Sequence, residues 1–139
     1  MKRILVVDDE SLVREALQRV LASDAYTVDM APGGEAALAE MRARPYDLAV
    51  VDVIMPGMDG VELIRRMRAE FPRVPVIAIS GGGNFELAGY RPEAISTRAY
   101  LAAASNAGAA GELAKPFDMS ELEAMVQSVL ASPGAAALN

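Results

Sequence analysis

Histidine and cysteine are both missing from this chain of 139 residues. Without cysteine there is no disulfide, no thiolate zinc site and no cysteine nucleophile. Without histidine, imidazole catalysis and imidazole metal ligation are excluded too. Oxygen ligands remain, and they favour magnesium, calcium or manganese. Basic residues are outnumbered, with 13 Lys and Arg against 19 Asp and Glu and a formal charge of -6. An acidic chain with no basic cluster is poorly suited to bind DNA, RNA or an anionic membrane directly. No stretch approaches membrane-spanning length. The start Met1-Lys2-Arg3-Ile4-Leu5-Val6-Val7-Asp8 is too short in its apolar part, and too soon acidic, for a secretion signal. A cytoplasmic protein with no membrane partner is expected. Aromatics are few, yet just over half the residues are apolar, enough for one domain with a real core.

What is present is organised around Leu48-Ala49-Val50-Val51-Asp52, an apolar run ending on an aspartate, with a Pro/Gly-rich turn soon after. Such a run reads as a strand buried on both faces, the mark of a parallel sheet. Arg3 to Val7 is a similar strand ending on Asp8-Asp9-Glu10. Ser11 to about Ala22 reads as a helix with Leu12, Ala16, Leu17, Val20 and Leu21 on one face. Tyr26 to Ala31 is the second strand, and Pro32-Gly33-Gly34 leads into a helix carrying Ala37, Leu38 and Met41. The third strand is Asp47 to Asp52. Asp59-Gly60 opens a helix to about Glu70 with Val61, Leu63, Ile64 and Met67 inward. Pro72 and Pro75 bracket the entry to the fourth strand, Val76 to Ser80. A last strand, Glu112 to Lys115, meets Pro116. Asp118 caps the final helix, with Glu121 as capping-box partner. That helix ends near Ala131. Residues 1–131 are expected to form the domain and 132–139 a frayed tail of small residues. With no internal repeat and no output segment after Ala131, a domain that stands alone is expected.

Five strands alternating with five helices predict an α/β domain, a flavodoxin-like (βα)5 doubly wound parallel sheet of strand order 2-1-3-4-5. The switch point of that order lies between strands 1 and 3, which end in Asp8-Asp9 and Asp52. Carboxylates meeting at one sheet edge repel, and a cation relieves the repulsion. Hard oxygen ligands that leave room for water suit Mg2+. Ser80 ends strand 4 with a hydroxyl and Lys115 ends strand 5 with an ammonium. A metal, a lysine and a hydroxyl around one carboxylate are the groups needed to hold a phosphoryl group on it, with Asp52 as nucleophile. Singly, each residue has a plainer reading. Asp8 and Asp9 could be helix-capping acids, Ser80 an ordinary strand end, and Lys115 a solvated edge lysine. Jointly, four strands all ending on the right group make coincidence a weak explanation.

With Val6-Val7-Asp8-Asp9-Glu10, Asp52 followed by Met55-Pro56-Gly57-Met58-Asp59-Gly60, Ser80, and Lys115-Pro116-Phe117, the chain resembles the receiver domain of bacterial two-component response regulators over nearly its whole length. The resemblance implies that Asp52 accepts phosphate from a phosphohistidine on a sensor histidine kinase or phosphotransfer protein. It implies Mg2+ held by Asp9 directly, by Asp8 mainly through water, by Asp52, and by the backbone carbonyl of Ile54. Ser80 is then the switch hydroxyl, Lys115 the phosphoryl-binding lysine, and the peptide before Pro116 cis. Phosphorylation is expected to switch binding to an unknown downstream protein, and self-dephosphorylation to be slow, so no conventional enzyme is expected.

The chain departs from the family twice. Gly81 to Gly111 makes a crossover of 31 residues, against 23 for Val53 to Pro75. It begins Gly81-Gly82-Gly83-Asn84, which reads as a loop beside the site; no Lys-Ser/Thr follows, so it is no P-loop. Pro92 is expected to start a helix to about Ala107, closed by Gly108. The second departure is Glu112, where the family usually has Tyr or Phe as its switch aromatic. Either signalling takes another route, or the edge strand tolerates a solvated acid there. Other functions fit less well. A Mg2+-dependent aspartyl-phosphate phosphatase usually wants an acid where Ile54 stands. An FMN protein would need a first loop that welcomes phosphate, unlike Asp8-Asp9-Glu10. The remaining alternative is a phosphorylation-independent, receiver-like protein-binding module, whose mark would be the loss of an acid, Ser80 or Lys115; none is lost.

Overall fold

Strands made of uninterrupted Val, Ile, Leu and Ala need cover on both faces, and the chain supplies it by alternating them with helices. The computed structural model describes residues 1–54, 59–80, 101–114 and 117–131. Five parallel strands, β1 (Lys2–Val7), β2 (Tyr26–Ala31), β3 (Leu48–Asp52), β4 (Val76–Ser80) and β5 (Gly111–Ala114), form one sheet in the order β2-β1-β3-β4-β5. The helices are α1 (Ser11–Leu21), α2 (Gly34–Ala43), α3 (Gly60–Glu70), a segment α4 over residues 101–107, and α5 (Met119–Ala131). The flavodoxin-like order expected from the sequence is the order found.

Alternation along each strand divides the core in two. Ile4, Val6, Leu48, Val50, Ile77 and Ile79 meet Leu17 and Leu21 of α1 and Leu122 and Val126 of α5. Their neighbours Leu5, Val7, Ala49, Val51, Val76 and Ala78 meet α2, α3 and Ala104 of α4. The apolar residues of β1 from Ile4 onward, of β3 and of β4 are fully buried, so these three strands form a rigid base for whatever follows their last residues. Near the start of β1, Arg3 and the Tyr46 hydroxyl both donate to Asp29 of β2. Burial alone would raise the Asp29 carboxyl, but these two hydrogen bonds hold it below the usual carboxylate range.

Strands β2 and β4 have the bounds read from sequence, and the inward residues of α2 and α3 are buried as expected. Strands β3 and β5 each differ by one residue at their start, Leu48 rather than Asp47 and Gly111 rather than Glu112. The Glu121 carboxylate accepts from the Asp118 amide at 2.9 Å, the return half of the expected capping box. Residues 101–107 are helical, and Gly108 follows with φ 115°, the left-handed stop a glycine permits. The start of that helix at Pro92, the Gly81-Gly82-Gly83-Asn84 loop, Met55 to Met58, Lys115, Pro116 and the tail 132–139 lie outside the described residues. Glu112 is exposed, in register with Ala78, which fits an edge strand carrying a solvated acid.

One inward assignment is corrected. Leu12 is 80% exposed. Helix α1 packs along the row Val13-Leu17-Leu21, and Leu12 belongs to the adjoining row with Ala16 and Val20, both only half-buried. Leu12 also lies in the first turn of α1, where the chain has only just left the end of β1. Replacing Leu12 by Ser is expected to change unfolding free energy by less than about 0.5 kcal/mol. Leu17→Ala, in the buried row, is expected to cost about 2–5 kcal/mol. Urea denaturation of the two variants measures the contrast.

Candidate acidic site at the carboxyl edge

Register brings the acids together before any side chain is considered. Val7 of β1 pairs with Val51 of β3, so Asp8 and Asp52 come next on adjacent strands, about 4.8 Å apart in the pairing direction. Asp9 follows at once. Ligand oxygens of Asp8, Asp9 and Asp52 all lie within 4.8 Å of one another. Asp8 is fully buried and Asp52 is 5% exposed, whereas Asp9 is exposed. Two buried carboxylates side by side are costly unless hydrogen bonds or a cation compensate.

Backbone supplies part of that compensation. The Glu10 amide donates to Asp8 Oδ1 at 3.0 Å, and the Ile54 amide donates to Asp52 Oδ1 at 3.0 Å. The Asp8 amide bonds to the Ala31 carbonyl of β2. Just past β3, the Val53 amide donates to Ile79 of β4, and the Gly60 amide donates to the Val53 carbonyl at 3.1 Å. The first turn of α3 therefore rests directly on the end of β3. Asp59 caps that turn, its side chain accepting from the Glu62 amide at 2.9 Å.

Ser80 ends β4. Asp52 pairs with Ile79, so Ser80 stands one step beyond it on the neighbouring strand. Ser80 is fully buried, and its Oγ has no hydrogen-bond partner among the described residues. A buried hydroxyl in that condition costs roughly 1–3 kcal/mol, a cost that an acceptor brought by a ligand would remove. Ser80 pairs with Ala114, the last residue of β5; Lys115 follows and lies outside the described residues. Of the residues singled out from sequence, the structure brings together Asp8, Asp9 and Asp52, with Ser80 on the next strand and Ile54 tied to Asp52 through its amide.

Two residues at this edge were given no part in the site from sequence. Arg14 of α1 sends Nη1 to the carbonyl oxygen of Asp8 at 2.8 Å. Gly60 was read as a helix opener and as the end of the Met55-to-Gly60 stretch that carries the resemblance, with no steric role, yet a Cβ there would overlap the Cα of Val53 and come within 2.5 Å of the Asp52 carbonyl oxygen. Nothing in the sequence marks Arg14 off from a solvated helix arginine. For Gly60, the available signals were its place in the stretch that carries the resemblance and a glycine inside a helix start that Asp59 alone could have made.

No helix among the described residues is long and apolar enough to cross a membrane. The response regulator receiver domain family matches residues 4–127. The two-component response regulator PhoP of Pseudomonas aeruginosa is 34% identical over 128 residues, 92% of this chain and 51% of that protein. The transcriptional regulatory protein CseB of Streptomyces coelicolor is 38% identical over 127 residues, 91% of this chain and 48% of its own length. The chain thus spans about half the length of these curated relatives. A CheY-like receiver domain protein from Methanospirillum hungatei superposes with TM-score 0.78 at 25% identity, covering 94% of each chain. The response regulator TrrA of Thermotoga maritima, solved in complex with Mg2+–BeF, superposes with TM-score 0.72 at 32% identity, covering 93% of this chain and 99% of its own. Sheet order and sequence agree: the chain belongs to the response regulator receiver domain family, a family of signalling domains rather than classical enzymes.

Proposed function

We propose that Asp52 is the phosphoacceptor of a two-component phosphorelay. A carboxylate oxygen of Asp52 attacks phosphorus of a phosphohistidine on a sensor kinase or phosphotransfer protein. The P–N bond breaks, and the departing imidazole nitrogen keeps the electron pair and takes up a proton. The observation that carries this reading is the convergence of Asp8, Asp9 and Asp52 within 4.8 Å beside a buried Ser80 hydroxyl that has no hydrogen-bond partner among the described residues.

Three carboxylates are the hard oxygen set that suits Mg2+, and the Thermotoga relative was solved with that ion. Asp8, Asp9, Asp52 and the Ile54 carbonyl would hold it. Bound there, Mg2+ supplies positive charge against the phosphoryl oxygens. Ser80 donates its hydroxyl to a phosphoryl oxygen, satisfying an atom that has no other partner among the described residues, and Lys115 brings an ammonium to another. The domain is residues 1–131, acting in the cytoplasm, and the phosphorylated form binds a downstream protein better than the free form does. Only that difference in affinity makes phosphorylation a switch. Water releases the phosphoryl group slowly, on the domain's own aspartate.

Intact mass after incubation with acetyl phosphate, with and without Mg2+, tests the proposal. A single phosphoryl adduct that requires Mg2+ is expected. No adduct, with Mg2+ bound, would leave a module that works by binding alone.

A further inference from the structure

Asp9 is exposed, and no hydrogen bond among the described residues holds its carboxylate. Yet that carboxylate lies within 4.8 Å of those of Asp8 and Asp52. Among the described residues, what sets its direction is the backbone that carries it. The Asp8 carbonyl and the Asp9 amide share one rigid peptide plane. Arg14 Nη1 holds the carbonyl end of that plane at 2.8 Å. On either side, the Asp8 amide is tied to Ala31 of β2, and the Glu10 amide to Asp8 Oδ1. Arg14 is itself fixed in α1, where its amide donates to the Glu10 carbonyl, and its side chain is half-buried.

We propose that Arg14 is a positioning residue for Asp9: by gripping the Asp8 carbonyl it orients the Asp8–Asp9 peptide so that the Asp9 carboxylate faces the Mg2+ site. This rests on the reading of the acidic cluster as a Mg2+ site. The guanidinium makes the claim sharp, because its charge and its hydrogen bond act in opposite directions. A cation beside a divalent-ion site weakens binding of that ion by repulsion. Loss of the grip weakens binding by misplacing a ligand, and groups that orient metal ligands typically contribute 10–100-fold to affinity.

The test is a double-mutant cycle on the full chain, read as Mg2+ affinity from amide-resonance titrations carried to high Mg2+. Measurable binding by the wild type tests the Mg2+ reading on its own. Arg14→Met is then expected to weaken Mg2+ binding about tenfold. In an Asp9→Ala background, where Asp8 and Asp52 still provide ligands, the same change is expected to matter less than about twofold. Equal losses in both backgrounds would show that Arg14 acts through the fold or through Asp8, and would overturn the proposal. Tighter binding by Arg14→Met would show that its charge dominates, and unchanged binding that its hydrogen bond is idle; either overturns it. Should Arg14→Met fail to fold, Arg14→Lys, which keeps the charge on a differently shaped head, is read in the same cycle. A loss confined to the Asp9-bearing background is something a purely structural role would not produce.

Discussion

Asp52→Asn is expected to take up no phosphoryl group from acetyl phosphate at any Mg2+ concentration while keeping the fold. The amide oxygen of Asn can still accept from the Ile54 amide, now made to Asp52 Oδ1 at 3.0 Å. What is lost is the anionic nucleophile and one of three charges crowded within 4.8 Å. A buried carboxylate beside another is a source of repulsion, so the variant is expected to melt no lower than the wild type in Mg2+-free buffer. Two measurements check this, intact mass for the adduct and thermal unfolding for the fold. A phosphoryl adduct on Asp52→Asn with native Mg2+ dependence would place the acceptor elsewhere and sink the assignment.

A large effect on stability is expected from a single added methyl group. Gly60 begins α3 against the end of β3, and a Cβ there would overlap the Val53 Cα and crowd the Asp52 carbonyl oxygen. Both obstacles are backbone, so no side-chain rotation relieves the clash. The first turn of α3 must back away, and the Gly60 amide then loses its bond to the Val53 carbonyl. Gly60→Ala is expected to cost about 3 kcal/mol, at the upper end of overpacking effects. Urea denaturation reads that loss. Phosphoryl uptake is expected to slow as well, since the clash falls on the backbone of Asp52 and Val53, which also carries Ile54. A substitution this small that left both quantities unchanged would mean that α3 has room to rest elsewhere.

The sequence made the sheet legible because its strands are simple. Val, Ile and Leu runs bounded by glycine, proline and acids define β2 and β4 to the residue, and crossover rules then fix their order. The acidic edge was legible for the same reason: residues that directly follow buried strands have little freedom, so Asp8, Asp52 and Ser80 fall where strand register puts them. Leu12 was misread because helical periodicity says which residues share a row but not which row the sheet touches. Arg14 was invisible because its role depends on how far a flexible side chain reaches, and Gly60 because its constraint comes from a strand that approaches it only in the folded chain. Lys115 and the first part of the long connection after Ser80, residues 81–100, stand beyond the described residues.

Asp8 and Asp52 reach each other only because β1 and β3 pair, across an intervening helix, strand and second helix. In the unfolded chain these acids are ordinary, well-separated carboxylates. Any divalent ion that gathers them therefore binds the native state and ignores the denatured one, so its binding energy adds to the folding energy in proportion to the logarithm of its concentration. The melting temperature of such a domain becomes a gauge of free cation. Were that ion magnesium, as the proposed phosphoacceptor site calls for, the same three carboxylates would tie the stability of the domain to the readiness of its site.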